Sequence, residues 1–333
     1  MQKFIFVICF VAVAITSARA QSRKQTAHFS QYQHYYNPSL TGFEGGALKT
    51  LYRNQWTGFE DAPKTLLASA EFDLNGIRVK RKGYQLNKPS HDLDYFKSIS
   101  AKHALGITLM HDQFGPAKET QVALSYGSGV RLSEKLSLRW GTAVTYSSHR
   151  LDGNSLTVDQ ESDPKYLNLL GHNNRMSKAD LNLGLALSAA KFYVGYAIQD
   201  VTKGKLLSGG DDYLRDFYAI KHIAQAGYRT SITDQFGVTV NTIYQYDSNE
   251  AATIEGQLKA VYQDMFWAGG GYRSNQAYSF LGGIRLNQLS IHYAYESPVQ
   301  DARYISKSTN EVAITYSLKQ KETAKNRKQI TLW

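Results

Sequence analysis

Several acidic, histidine and glycine residues have spacings that resemble those of metal-binding or phosphate-binding sites. Residues 159–163 (DQESD) alternate acidic side chains, as the first ligands of an EF-hand calcium loop do. Leu170 stands where that loop has its closing glutamate, however, and position six of the loop is not glycine. A glycine run at 269–271 precedes no helical pattern, which a phosphate-binding glycine loop requires. We therefore predict a solvated loop at the first run and close approaches between strand backbones at the second.

The residue types that act as nucleophiles or metal ligands give no stronger signal. His103 and His111 share one face of a predicted strand but lie too far apart to bind one metal ion. Neither an HExxH nor a GxSxG motif is present. Distant strands could still bring together the serine, histidine and aspartate of a hydrolase, and this class stays open. We predict no metal site, no cofactor and no enzymatic activity.

The first residues have the features of a secretory signal peptide. Lys3 precedes an apolar run at residues 4–15, and Ala18-Arg19-Ala20 fits a cleavage site with small residues. We predict that residues 1–20 are removed by cleavage near Ala20. The single cysteine, Cys9, lies in this segment, so the mature protein is expected to contain no disulfide and no thiolate metal site.

The net charge predicts an anionic environment or partner. The formal charge is +10, and removal of Lys3 and Arg19 makes it 10 − 2 = +8. An exported basic chain is expected to meet anionic lipid or an acidic protein, and we predict no nucleic-acid partner. Two segments, 74–100 and the C-terminal tail 320–333, concentrate lysine and arginine. We expect these basic segments to dock an acidic partner.

Residues 46–319 carry a repeated alternation of apolar and polar side chains that predicts β-strands. The clearest example is the run 135–146, in which leucine, tryptophan, valine and tyrosine occupy every second position. We count about fourteen such strands of about ten residues, the length of tilted membrane-spanning strands. The prediction is an all-β protein, a transmembrane antiparallel β-barrel with short periplasmic turns near residues 133, 190, 232, 263 and 287 and longer extracellular loops at 149–178, 200–217 and 298–308. Residues 21–45 are predicted to form a periplasmic N-terminal segment that could tuck into the barrel mouth.

The two faces of the predicted strands indicate which solvent each meets. A soluble sandwich of two sheets also buries one apolar face. A membrane barrel is favoured because tyrosine and tryptophan cluster near the predicted strand ends, as they do at membrane interfaces. The opposite face carries charges that would line the lumen: Arg139, Glu255, Lys259, Arg285, His292 and Glu296. Either these charges pair within a narrow lumen or they give a channel its selectivity.

A sequence motif in the first predicted hairpin resembles that of a known family. It begins Tyr52-Arg53-Asn54-Gln55-Trp56 and continues with Gly58 and Pro63-Lys64-Thr65, and an upstream Asn37-Pro38 accompanies it. This combination is similar to the signature of the PorP/SprF family, outer-membrane proteins of the type IX secretion system and gliding motility. From the residues alone, the motif either pins the first hairpin, with Arg53 and Gln55 facing the lumen, or forms a surface that a partner recognises.

The resemblance implies a location and a function. We expect a multi-pass protein of the bacterial outer membrane that supports secretion or anchoring of surface proteins of the gliding-adhesin type. The expected partners are outer-membrane lipid, periplasmic and outer-membrane secretion components, and a secreted surface protein. The alternative function is a passive porin or small-solute channel.

Overall fold

The computed structural model describes residues 25–74, 102–133, 135–152, 175–209, 219–247, 252–299 and 307–318. The predicted signal peptide, nearly all of the 74–100 segment and the 320–333 tail lie outside these ranges. A short helix α1 (Gln33–Tyr36) and a 3₁₀ turn (Pro38–Leu40) precede the strands. The strands are β1 (Ala47–Asn54), β2 (Lys64–Asp73), β3 (His103–Phe114), β4 (Ala117–Arg131), β5 (Ser137–Leu151), β6 (Arg175–Ser188), β7 (Phe192–Gln199), β8 (Leu207–Gly209), β9 (Lys221–Ser231), β10 (Phe236–Tyr246), β11 (Thr253–Tyr262), β12 (Phe266–Arg273), β13 (Ala277–Leu286), β14 (Leu289–Pro298) and β15 (Thr309–Ser317).

These strands close into a single barrel. Each long strand pairs antiparallel with its neighbour, β1 pairs with β15, and the β5–β6 pairing completes the ring. The three-residue β8 pairs only with the end of β6, so the ring contains 14 strands. Closure pairs the backbone groups of every spanning strand, which the hydrocarbon of a membrane requires. The predicted transmembrane antiparallel barrel of about fourteen strands is confirmed.

The apolar side chains point outward from this barrel. On β14, Leu289, Ile291, Tyr293 and Tyr295 are exposed while the alternating positions are buried. The same alternation holds along most of the other long strands, as the period of two in a strand dictates. One closed sheet with apolar residues outside is not a soluble sandwich, whose apolar faces would pack against each other. Within the described ranges, no helix has the length and apolar character needed to cross a membrane.

The two ends of the barrel differ. One end, here called the turn end, carries the short connections 132–136, 189–191, 232–235, 263–265 and 287–288. The opposite end, the loop end, carries the connections that include the predicted long loops. The strands reach further into these loops than predicted, since β5 extends to Leu151 and β6 begins at Arg175. Their outer residues are mostly polar apart from Leu151 and Met176, so they continue the ladder without an alternating apolar signal in the sequence.

Residues 25–45 lie inside the barrel, and we call this segment the plug. Almost every residue from Thr26 to Phe43 is buried. The plug runs from the loop end, where Gln25 Nε2 donates to Thr253 Oγ1 at 3.3 Å, to the turn end, where Gly46 leads into β1. The sequence predicted a periplasmic segment that could tuck into the barrel mouth, whereas residues 25–45 extend along the lumen from one end to the other. The difference arises because the plug's apolar side chains, among them Phe29 and Tyr36, pack against lumen residues of distant strands.

The orientation of the faces predicts how a charge affects folding. Leu124 lies outward near the middle of β4, and Thr120 lies on the same face closer to the loop end. We expect Leu124→Arg to lower the free energy of unfolding from lipid vesicles by about 2–4 kcal/mol, and Thr120→Arg to lower it by about 0–1 kcal/mol. Denaturant titration of the vesicle-folded protein measures both. Equal losses at the two positions would contradict the assignment of this face to lipid.

Candidate functional site

The plug rests on three glycines of the barrel wall, here called the glycine seat. Gly127, Gly141 and Gly184 are cross-strand neighbours on β4, β5 and β6. A Cβ atom on Gly127 would lie 2.7 Å from the carbonyl oxygen of Thr41, and one on Gly141 would collide with the backbone of Pro38. Only glycine lets the plug backbone approach the wall this closely.

Asn37 and Pro38 shape the part of the plug that meets the glycine seat. Asn37 Oδ1 accepts hydrogen bonds from Ser39 N at 3.0 Å and Ser39 Oγ at 2.7 Å, which caps the 3₁₀ turn that Pro38 begins. The amide of Asn37 also donates to the carbonyl of Leu185 on the wall at 3.4 Å. Both residues of the upstream motif therefore hold the plug in a turn that fits the seat.

Arg139 fixes the same turn from β5. Its Nε donates to the carbonyl of Ser39 at 2.9 Å and its Nη2 to the carbonyl of Thr41 at 2.8 Å. Its guanidinium carbon lies 5.7 Å from the centre of the Phe43 ring, a cation–π distance. The predicted lumen position of Arg139 is thus a direct contact with the plug.

A cluster of buried charges lies nearer the loop end. Arg53 Nη1 lies 2.6 Å from Glu296 and also contacts Glu311, while Arg273 lies 2.7 Å from Glu255 and 2.9 Å from Glu296. These five side chains, which we call the charge cluster, are all less than a tenth exposed. Breaking one partner of such a buried network leaves an uncompensated charge and is strongly destabilising.

The charge cluster also binds the plug. Glu311 accepts hydrogen bonds from Ala27 N at 2.9 Å and from His28 Nδ1 at 2.8 Å. Gln257, beside Glu255, donates to the carbonyl of Ala27 at 2.5 Å. The start of the plug is therefore tied to the same carboxylates that pair with the two arginines.

A second ion pair holds the middle of the plug. Lys49 Nζ lies 2.8 Å from Glu71 and donates to the carbonyl of Gln31 at 2.8 Å. Glu71 in turn accepts from Gly42 N at 2.7 Å and lies 3.2 Å from His34. One pair between neighbouring strands thus contacts the plug at three points along its length.

The remaining predicted lumen charges divide by position. Lys259 donates to Ser30 Oγ at 2.5 Å, and His292 Nδ1 accepts from the amide of Gln31 at 2.9 Å. Arg285 lies at the turn end, where it pairs with Asp264 at 3.1 Å. The lumen charges are therefore used in ion pairs and plug contacts.

The hairpin motif is distributed over three environments. Arg53 and Thr65 face the lumen, where Thr65 hydrogen-bonds to Asp112. Tyr52 and Lys64 are exposed on the outward face. Asn54 is the last residue of β1. The turn that follows holds Gln55, Trp56 and Gly58, the last two with positive φ, and the buried Pro63, whose carbonyl accepts from Gln55 N at 2.9 Å. Trp56 packs edge-on against Phe114 of the next turn.

A polar cavity of about 80 Å³ lies between the plug and the wall at the loop end. Its lining includes Glu119, Gln199, Asp200 and Lys221. Asp200 lies 3.2 Å from Lys178 and 3.1 Å from Lys221. Burial would raise the pKa of Asp200, but Lys221 and Lys178 together hold it below its usual range. Among the described residues, no group of three or more histidines and acids is placed to hold a metal ion.

Sequence reasoning missed several residues that contact the plug. Glu311, Arg273, Glu71 and Lys49 all alternate with outward apolar residues, so strand parity would have placed them in the lumen. Their partners could not be read from the sequence, because Arg53 and Glu311 lie on strands from opposite ends of the chain. The glycine seat carried no signal of its own, since strand glycines have many causes.

The glycine seat predicts that a side chain there displaces the plug. In a Cys9→Ser background, we expect Gly141→Val to raise maleimide labelling of a Ser39→Cys reporter about ten-fold or more, because overpacking costs about 1–3 kcal/mol. Gly256→Val is the matched control, since a Cβ on Gly256 meets nothing within 4 Å. Slow labelling in both variants would show that the seat does not hold the plug.

The charge cluster predicts that replacing Arg53 strongly lowers the free energy of unfolding. Arg53→Met leaves Glu296 and Glu311 without this cation, and we expect it to lower the free energy of unfolding by about 3–5 kcal/mol. Lys64→Met, on the exposed face of the same hairpin, should change it by no more than about 0.5 kcal/mol. Denaturant unfolding measures both variants, and adding Glu311→Leu to Arg53→Met should recover part of the loss. A silent Arg53→Met would contradict the pairing.

Known outer-membrane barrels resemble this fold at low sequence identity. The outer membrane protein Omp33 of Acinetobacter baumannii is 8% identical with a TM-score of 0.46, and the alignment covers 83% of this chain and 100% of that one. The toluene transporter TbuX of Ralstonia pickettii is 11% identical over 85% and 92% of the chains, with a TM-score of 0.46. The CymD monoaromatic hydrocarbon channel is 15% identical over 87% and 93%, with a TM-score of 0.48. We take no functional argument from these similarities.

Sequence comparison gives a more specific result. Among curated proteins, none matches the chain significantly. The family described as type IX secretion system membrane protein PorP/SprF matches residues 18–316, which include the plug, the hairpin motif and all but the last residue of the barrel strands. This chain, a closed outer-membrane barrel, belongs to the PorP/SprF family of type IX secretion system membrane proteins.

Proposed function

We propose that the protein is an outer-membrane component of the type IX secretion system that supports secretion or anchoring of surface proteins of the gliding-adhesin type. The observation that carries the proposal is a barrel of this family whose lumen is occupied by its own N-terminal segment. A filled barrel gives a rigid attachment point in the membrane and a stable surface at each end. We propose that the loop end faces outward, because outer-membrane barrels have short periplasmic turns and longer external loops.

The occupied lumen favours a role in secretion over a passive porin. Ion pairs and plug contacts use the charges that a porin would present to permeating solutes, including Arg139, Lys259 and His292. A passive porin is the second candidate because the polar cavity beside the plug enters the lumen from the loop end. The residues that line this cavity include Pro38 of the plug, whose backbone lies against Gly141 of the glycine seat.

Partners would meet the two ends of the barrel. At the loop end, the exposed residues of the 55–63 turn offer a surface to a secreted protein. On the periplasmic side, the basic segments 74–100 and 320–333 would dock an acidic component of the machinery. We also propose that the protein has no catalytic activity and that its signal peptide is cleaved near Ala20.

The occupied lumen predicts electrical silence. In planar bilayers we expect no steady conductance from the full-length protein, because the plug fills the lumen. Deletion of residues 25–45 should open conductance, whereas deletion of 320–333 should leave the protein silent. A steady open pore in the intact protein would favour the porin.

A secretion experiment tests the proposed function itself. Cells that lack the protein should lose surface proteins from the cell exterior and retain them in the periplasm, as measured by quantitative mass spectrometry of both fractions. Restoring the wild-type protein should reverse the change. An unchanged set of surface proteins combined with slower uptake of small solutes would overturn the proposal.

A further inference from the structure

Four basic residues form one row on the outward face at the loop end. Cross-strand pairing connects Lys118 on β4 to Arg150 on β5, and Arg150 to Arg175 on β6. Gln113 on β3 links Lys118 to Lys64 on β2. The row therefore spans five adjacent strands in continuous register.

The distribution of charge makes this row distinctive. Of the lysines and arginines on the described strands, only these four stand at positions of outward-facing parity; the others stand at positions of lumen-facing parity. On the rest of the barrel, exposed tyrosines occupy outward positions near the loop end: Tyr52, Tyr246, Tyr272, Tyr278 and Tyr295. One arc of the rim is thus basic and the other is aromatic.

The row stands directly beyond the lipid-facing surface. On β5, the outward Tyr146 lies four residues from Arg150, which corresponds to about 13 Å along the strand. On β2, the outward Leu66 is two residues from Lys64 and is about half exposed. Side chains at this height above an apolar belt reach the lipid headgroups, because aromatic residues mark the interface itself.

The basic groups have no carboxylate partner among the described residues. Arg175 Nε donates to Ser148 Oγ at 3.0 Å, and no ion pair is formed by Lys64, Lys118 or Arg150 within those ranges. The acids at the loop end of these strands, Asp112 and Glu119, stand at positions of lumen-facing parity. Among the described residues, Asp61 and Asp152 stand in the connections next to the row.

We propose that this row binds the phosphate groups of a phosphorylated glycolipid in the membrane leaflet at the loop end. The row is positively charged and phosphate is negatively charged. The row also adjoins the lipid-facing side chains of the same strands, so the headgroup and the acyl chains of one lipid can contact these strands together. Arginine suits this role because its planar guanidinium donates two parallel hydrogen bonds to a phosphate. The inference is independent of the secretion role.

Native mass spectrometry of the detergent-purified full-length protein tests the proposal with lipid A that carries two phosphates. The row variant is Lys118→Gln/Arg150→Gln/Arg175→Gln. The matched control is Lys102→Gln/Lys135→Gln/Lys191→Gln, which removes three exposed charges at the turn end. We expect binding to the row variant to be roughly ten-fold weaker or more and binding to the control to be unchanged.

Two further measurements keep the test decisive. Wild-type protein should bind lipid A without phosphates as weakly as the row variant binds the phosphorylated form, and this comparison needs no variant to fold. A glutamate-rich peptide should not displace the lipid at equal charge concentration. Equal binding of both lipids, equal losses in both variants, or displacement by the peptide would overturn the proposal, whatever the outcome of the secretion experiment.

Discussion

The pairing of charges inside the barrel is the constraint on which the rest of the structure depends. Arg53, Arg273 and their three glutamates are removed from water, and such groups are tolerated only when each has partners. The plug supplies part of that partnership, because Glu311 binds both Arg53 and the backbone of Ala27. The lumen charges and the plug therefore stabilise each other.

The same constraint links the fold to the proposed function. Backbone pairing in the hydrocarbon requires closure, and closure encloses a lumen that must be filled with water or protein. In this chain the plug fills the lumen and contacts the wall through the glycine seat, the charge cluster and the Lys49–Glu71 ion pair. A barrel with a filled lumen offers its end surfaces for binding other proteins and does not offer a channel for solutes. This arrangement suits a component that holds other proteins in a secretion system. The basic row proposed to bind lipid phosphate lies on one side of the barrel only, from β2 to β6.

Much of the barrel could be predicted from sequence because strand alternation is a local property. The alternation on β5 and β14 predicted the outward faces, and Arg139 and His292 were placed in the lumen by their parity alone. The ends of β5 and β6 were missed because their outer residues are mostly polar and show no alternation of apolar side chains. Residues 21–45 are polar and aromatic, which predicted a periplasmic segment that could tuck into the barrel mouth but not one that extends along the lumen. The plug's burial depends on glycines brought together from three strands, which no local pattern encodes.

The central claim is that residues 25–45 are a built-in part of the folded barrel. Hydrogen–deuterium exchange of the full-length protein in lipid nanodiscs tests it most directly, because the amides of Ala27, Asn37 and Gly42 are hydrogen-bonded inside the lumen. The account predicts that peptides from this segment exchange as slowly as those from the barrel strands. Exchange within seconds, at the rate of an unfolded chain, would contradict it.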